Sequence, residues 1–207
     1  MSQIWYAAFS EDFVEQAQKI FKKLDKDVIV TVWDPELVPE MLRRGVSVIL
    51  GRGATALRIR KVVDLPVVEI PIPFEDMADT LIEASRYGRN IGVIGYNNLL
   101  SGLECLNPIL NVSIRQIFAV DENDTYHQIQ KLKNEGIDVI VGGLLQTHYA
   151  RELGLPAVRI ELTDKSLSYA CQEAEKLIAT VKAATRKAEE LKTILNTTNE
   201  KYVAVDI

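Results

Sequence analysis

The sequence predicts an α/β protein of two similar lobes, each a parallel sheet flanked by helices, followed by a long C-terminal helix. Three observations predict it. Short Val- and Ile-rich runs alternate with helix-period stretches along most of the 207 residues. The runs are apolar nearly throughout, as in parallel strands covered on both faces. Two blocks also recur in order. Gly45-Val46-Ser47-Val48-Ile49-Leu50-Gly51 returns as Gly136-Ile137-Asp138-Val139-Ile140-Val141-Gly142, and Leu65-Pro66-Val67-Val68-Glu69-Ile70 as Leu155-Pro156-Ala157-Val158-Arg159-Ile160. The offsets, 91 from Gly45 to Gly136 and 90 from Leu65 to Leu155, point to a duplicated half. The competing explanation is that parallel strands share this pattern by chance.

The elements follow in order. Strands are expected at 4–9, 28–32, 46–50, 67–70, 91–94, 114–120, 137–141 and 157–160, and helices near 11–24, 35–44, 53–62, 74–88, 98–107, 123–134, 144–152 and from 165 onward. In such sheets ligands sit beyond the carboxyl ends of the strands, so the loops there carry the candidates. The first strand leads to Ser10. The third leads to Gly51-Arg52-Gly53-Ala54-Thr55, where glycines before a helix let backbone N–H groups approach an anion. Arg52 adds a planar fork for a carboxylate or phosphate and Thr55 a hydroxyl. The plainer alternative is a strand-to-helix turn beside a solvated arginine. The spacing is neither a P-loop nor a dinucleotide fingerprint, so no nucleotide is indicated.

Next comes Ile70-Pro71-Ile72-Pro73, a crossover stiffened by proline. Its counterpart is the segment from Glu161 to Asp164, and together they would form a hinge. Lobe 1 is expected over 1–72, with 164–180 packing back on it, and lobe 2 over 73–163. The fifth strand leads to Gly95-Tyr96-Asn97-Asn98; Tyr96 and Asn97 are ligand candidates, though Asn97, like Ser10, suits a helix cap. After the sixth, Asp121, Glu122 and Asp124 read as a cap and acidic first turn, with cation binding the less favoured reading. After the seventh, Gly142-Gly143 forms a second, weaker cradle, with Gln146 and Thr147 as its polar groups.

No catalytic set assembles. His148 and His127 have no partner at metal spacing. Cys105 and Cys171 fall on helix-period segments, whereas a two-lobed racemase would need a reactive group on each facing loop. No metal, cofactor or catalytic residue is expected.

From Leu177 the pattern changes. Leu177, Val181, Ala184, Ala188, Leu191 and Leu195 are spaced as the seam of a short coiled coil, so 181–199 is expected to be a linker helix pairing two copies of the chain. A strand-like run over 200–207 then suggests the start of a following domain. The formal charge of −5 and pI near 5.2 give no basic stripe for nucleic acid. No basic start with a long apolar run marks a signal peptide, and no run is long enough to span a membrane. Two distant cysteines suit a reducing, cytosolic compartment.

The ordered blocks Gly51-Arg52-Gly53-Ala54-Thr55-Ala56, Leu65 through Ile70, Asn90-Ile91-Gly92-Val93-Ile94-Gly95-Tyr96, Gly136 through Gly143 and Ala150 through Leu155 resemble the N-terminal sensor domain of propionate catabolism activators. The resemblance runs over most of residues 1–178. It implies a flavodoxin-like or periplasmic-binding-protein-like pair of lobes in a sigma-54-dependent transcriptional regulator. There the domain precedes a helical linker, sometimes a PAS domain, then an ATPase and a helix-turn-helix; residues 200–207 are similar to the opening strand of a PAS domain. The best-known members are thought to sense 2-methylcitrate, a tricarboxylate. Where the family commonly shows Ser-Arg-Gly-Gly-Thr, this chain keeps Arg52 and Thr55 but has Gly51 and Ala54. The expected function is therefore binding of a small anionic metabolite between the lobes, by Arg52, Gly53, Ala54, Thr55, Asn97, Gly143, Gln146, Ser10 and Tyr96. The alternatives are a racemase- or isomerase-like enzyme of small carboxylates using His148, and a dimerisation module with an inert head.

Overall fold

The structure, a computed structural model, describes residues 3–96 and 101–197. The first half holds β1 (Ile4–Ala8), α1 (Glu11–Lys23), β2 (Ile29–Val32), α2 (Val38–Arg43), β3 (Val48–Gly51), α3 (Ala54–Arg60) and β4 (Val67–Glu69). The second holds α4 (Phe74–Ala84), β5 (Asn90–Gly95), α5 (Asn107–Leu110), β6 (Ser113–Phe118), α6 (Glu122–Asn134), β7 (Val139–Gly142), α7 (Leu144–Glu152) and β8 (Ala157–Arg159), and α8 (Asp164–Thr197) follows.

The strands form two four-stranded parallel sheets, ordered β2-β1-β3-β4 and β6-β5-β7-β8. The two orders superpose term by term, which is what a duplicated half requires. The equivalence extends to single bonds. The Ile70 N–H donates to the Gly51 carbonyl and the Ile160 N–H to the Gly142 carbonyl, each at 2.8 Å. The recurring sequence blocks are therefore β3 with β4, and β7 with β8.

Helices cover both faces of each sheet, as the apolar strands require. In α1, Val14, Ala17, Ile20 and Phe21 are buried on one face, with Glu11 and Asp12 in the first turn and Lys22 and Lys23 in the last, each sign matching the helix dipole. On the other face of that sheet Trp5, Ile49 and Ile59 pack with Met41.

After β4 the chain passes through Pro71 and Pro73 and places α4 on the second sheet, where Ile72, Met77, Leu81 and Ala84 pack among Ile91, Val139 and Val158. After β8 it returns, and Leu162, Leu167, Ala170, Cys171 and Ala174 pack on the first sheet among Tyr6, Val48, Leu50 and Ile70. Ile72 and Leu162 occupy equivalent places, each the apolar residue a crossover delivers to the opposite lobe. Burying a side chain of that size stabilises by roughly 1.5–3 kcal/mol. The start of α8 is closed by a reciprocal cap: the Ser166 N–H donates to Thr163 Oγ1 and the Thr163 N–H to Ser166 Oγ, both at 3.1 Å.

One expected helix is replaced. Within 98–107 the described part is a 3-10 turn, Leu103–Leu106, followed by the single turn of α5. Gly102 at φ +80° and Asn111 at φ +52° adopt left-handed backbone at the two ends, and Pro108 falls between. Gly102 interrupts the helix that the apolar spacing suggests, while Pro108 and Asn111 belong to the single turn that follows it. Asp121 caps α6, its Oδ1 accepting from the Asp124 N–H at 2.8 Å. The helix α8 runs unbroken for 34 residues. Its first half is buried against lobe 1, and from Ala179 to Leu195 every residue is exposed. Residues 200–207, where a following strand was expected, lie outside the described residues, as does Asn97. Among the described residues no helix is long and apolar enough to cross a membrane.

Candidate functional site

The carboxyl ends of β1 and β3 face those of β5 and β7 across a cleft of about 110 Å³. Room for one water takes about 10–15 Å³ of such volume, so the cleft fits a small organic molecule. Arg52, Gly53, Ala54 and Thr55 line it from the first lobe, and Tyr96, Gly143 and Gln146 from the second. Ser10 does not line it. It stands at the start of α1 with Oγ buried and, among the described residues, without a hydrogen-bond partner, while its neighbours Phe9 and Phe13 reach the cleft. Thr147 turns inward, donating to the carbonyls of Gly143 and Leu144, both at 3.0 Å.

The loop after β3 owes its shape to Gly53, whose φ of +53° and ψ of −127° other residues rarely adopt. That geometry turns the chain from strand to helix within two residues and aims Arg52 toward the second crossover. Arg52 Nη1 donates to the Glu161 carbonyl at 3.0 Å. Among the described residues no carboxylate stands at ion-pair distance from the guanidinium. Burial holds its pKa below the ordinary arginine value, against the pull of Tyr6, Glu161 and Asp76; arginine nevertheless stays charged. At the floor, burial pushes the Tyr6 phenol up to about 12, opposed by Arg52.

On the far side α7 begins at Gly143, which has no side-chain cap, so the positive end of that helix opens toward the cleft. A Cβ on Gly142 would stand 2.8 Å from the Ile94 carbonyl and 2.5 Å from Gln146 Cβ. Glycine there is what lets the first turn of α7 approach β5.

Contacts between the lobes frame the site. Ala54 and Leu57 of α3 pack against the core around Ile94 and Tyr149. Arg58 pairs with Glu122, which itself lines the cleft. Near the crossovers Thr163 Oγ1 donates to Asp76 Oδ2 at 2.5 Å and Lys165 pairs with Glu75 at 3.0 Å.

Tyr6, Phe13, Ile72 and Ile160 also line the cleft, although nothing in the sequence singles them out for it. Their signal is indistinguishable from core, because an apolar residue on a strand, a helix face or a crossover reads the same whether it meets a packed element or a cleft. Glu122 was visible as a first-turn acid or, less favoured, a cation ligand, and not as a wall of the cleft. His148 is an exposed residue of α7, 3.5 Å from Glu152 one turn on. Cys105 is exposed; Cys171, on α8, is buried against the first sheet, its thiol pushed up to about 11 by that burial. Among the described residues no cluster of His, Cys, Asp or Glu is arranged to hold a metal.

Two doubly covered parallel sheets, joined by paired crossovers and facing one another over a cleft, define the class: a two-lobed α/β domain. The chain belongs to the propionate catabolism activator family, whose family model matches residues 34–184. It is a sensory domain of a transcription regulator of that family. Its fold is that of an NtrC family transcriptional regulator from Clostridium acetobutylicum, which is 25% identical, with a TM-score of 0.71 over 86% of this chain and 96% of that one. Fainter likenesses include a LacI family transcriptional regulator from Enterococcus faecium with bound ribose, 12% identical, TM-score 0.38, covering 74% of this chain and 73% of that one. Another is an ABC transporter solute binding protein from Mycobacterium smegmatis with bound glycerol, 12% identical, TM-score 0.36, covering 73% of this chain and 70% of that one.

Proposed function

We propose that the chain is the ligand-sensing domain of a cytoplasmic sigma-54-dependent transcriptional activator that takes a small carboxylate-bearing metabolite into the cleft. One observation carries this reading: Arg52, half-buried on the cleft wall, is bonded to a backbone carbonyl and to no carboxylate among the described residues. A partly desolvated guanidinium with no carboxylate at ion-pair distance keeps N–H donors for an incoming carboxylate, which would add charge-assisted hydrogen bonds. The amides of Gly53 and Ala54, with Thr55, Tyr96, Gly143 and Gln146, complete the grip; Asn97 belongs to the same proposal, and Ser10, away from the cleft, does not.

Ligand closure would move the second crossover, because Arg52 bonds Glu161 three residues before α8 begins. The outer half of α8, paired with that of a second copy, would carry the change to an ATPase domain further along the natural protein. The coupling exists only to the extent that the ligand prefers one lobe arrangement. The domain itself performs no chemistry in this proposal and makes no contact with nucleic acid.

The test is calorimetric titration of the chain and its Arg52→Gln variant with a panel of small carboxylates and phosphates. Losing the charged hydrogen bonds should weaken binding of the effector by about 1.5–3 kcal/mol. Equal affinity of the two proteins for every anion that binds would remove Arg52 from the site.

A further inference from the structure

The walls around Arg52 narrow the class of anion, an inference that rests on the reading of Arg52 as the anchor. Arg52 is the one cation among the described lining residues; Tyr6, Phe13, Tyr96, Ile72 and Ile160 supply apolar wall, and Thr55 and Gln146 neutral polar groups. The one lining carboxylate, Glu122, is tied to Arg58 of the other lobe. Arg159, a second guanidinium close enough to act on Arg52, is held in a two-pronged pair by Glu161, Nε to Oε1 at 2.7 Å and Nη2 to Oε2 at 2.9 Å. Its other face lies 5.6 Å from the Phe13 ring centre. A ligand with two or three charges would therefore leave at least one carboxylate without a cation among the described residues, facing the apolar walls, Glu122 or the uncapped N–H groups at the start of α7, which carry only a partial charge. A buried carboxylate without a cationic partner is unfavourable.

A single negative charge is matched, and so is an apolar body. The volume, about 110 Å³, is of the order of the ~150 Å³ apolar cavity known to accept benzene. Phe9, 44% exposed at the mouth, is an apolar surface that such a body would cover.

We propose that the cleft binds a monocarboxylate with an apolar body, a six-membered ring or a short acyl chain, its carboxylate on Arg52 and its body against Tyr6, Phe13 and Tyr96. The probes are acetate, butyrate, hexanoate, benzoate, benzyl alcohol and tricarballylate, titrated calorimetrically against the chain at neutral pH. Affinity should rise from acetate to hexanoate by up to about fourfold for each methylene buried. Benzoate should bind where benzyl alcohol does not, and tricarballylate should bind more weakly than hexanoate. Phe13→Ala should weaken hexanoate at least severalfold while moving acetate little, and Arg52→Gln should abolish the preference for benzoate over benzyl alcohol.

Tricarballylate binding more tightly than hexanoate, and losing that affinity in Arg52→Gln, overturns the monocarboxylate class and leaves the anion site standing. A flat series from acetate to hexanoate, or Phe13→Ala without effect on hexanoate, does the same. Carboxylates binding equally to wild type and Arg52→Gln, or none binding at all, overturns both readings.

Discussion

At the scale of single residues, the cleft is organised by two groups whose ionisation burial opposes. The Arg52 cation is retained because arginine does not deprotonate at ordinary pH. The Tyr6 phenol is retained neutral, its pKa pushed up to about 12 by burial, and Cys171 behind the same sheet is pushed up to about 11. A group whose folded pKa exceeds its unfolded value contributes stability that is whole below the unfolded value and lost as pH rises through the folded one. Cys171 should therefore begin to destabilise the fold above pH 9, its ordinary value, and Tyr6 above pH 10. Each tenfold change in an ionisation constant is about 1.4 kcal/mol, so either group contributes at most about 2.7 kcal/mol. Urea unfolding from pH 8 to pH 11.5 should show stability falling more steeply for the wild type than for Tyr6→Phe. Parallel slopes would mean that the phenol is not desolvated as described.

Single elements were legible in the sequence to the degree that their pattern is local. Val48-Ile49-Leu50 and Val139-Ile140-Val141 announce buried parallel strands because nothing else requires so unbroken an apolar run. The described part of the helix expected near 98–107 is broken because Gly102 is left-handed in the fold, a choice that apolar spacing cannot reveal. The cleft was half legible. Arg52 and Gly143 were found because glycine and charge at a strand end are visible. Tyr6 and Phe13 were not, because their neighbours across the cleft come from the other lobe.

Glycine at the end of β7 is a feature whose need the sequence shows only as a repeat. Gly142→Ala would set its Cβ 2.8 Å from the Ile94 carbonyl, a backbone atom that cannot swing aside. The expected cost is about 1–3 kcal/mol, read as a lower urea midpoint at unchanged slope. In α8 the exposed apolar residues Val181, Leu191, Ile194 and Leu195 make a face that the lobes do not cover. If that face pairs two copies, a chain ending at Thr180 should keep its thermal transition and sediment as a monomer, while the full chain sediments as a dimer. Ending instead near Asp164 would be uninformative about pairing, since Leu167, Ala170, Cys171 and Ala174 are core.

For the whole molecule, the exchange of helices at the crossovers makes the two lobes unequal in a testable way. The second sheet and its α4 face draw their buried residues from a continuous stretch, Ile72 through Ile160. The first sheet cannot be completed by residues before the first crossover, because five of its buried core residues, Leu162 through Ala174, arrive from the far end of the chain. Removing them uncovers one face of β1 and β3, at a cost that marginal stability does not tolerate. A fragment spanning 70–163 should therefore fold alone, with a cooperative urea transition and dispersed amide resonances. A fragment spanning 1–72 should be unfolded or aggregated, and should fold when 161–180 is joined to it by a flexible linker. Folding of 1–72 by itself would show that α8 merely rests on a lobe already complete, and the route proposed from cleft to helix would lose its mechanical basis.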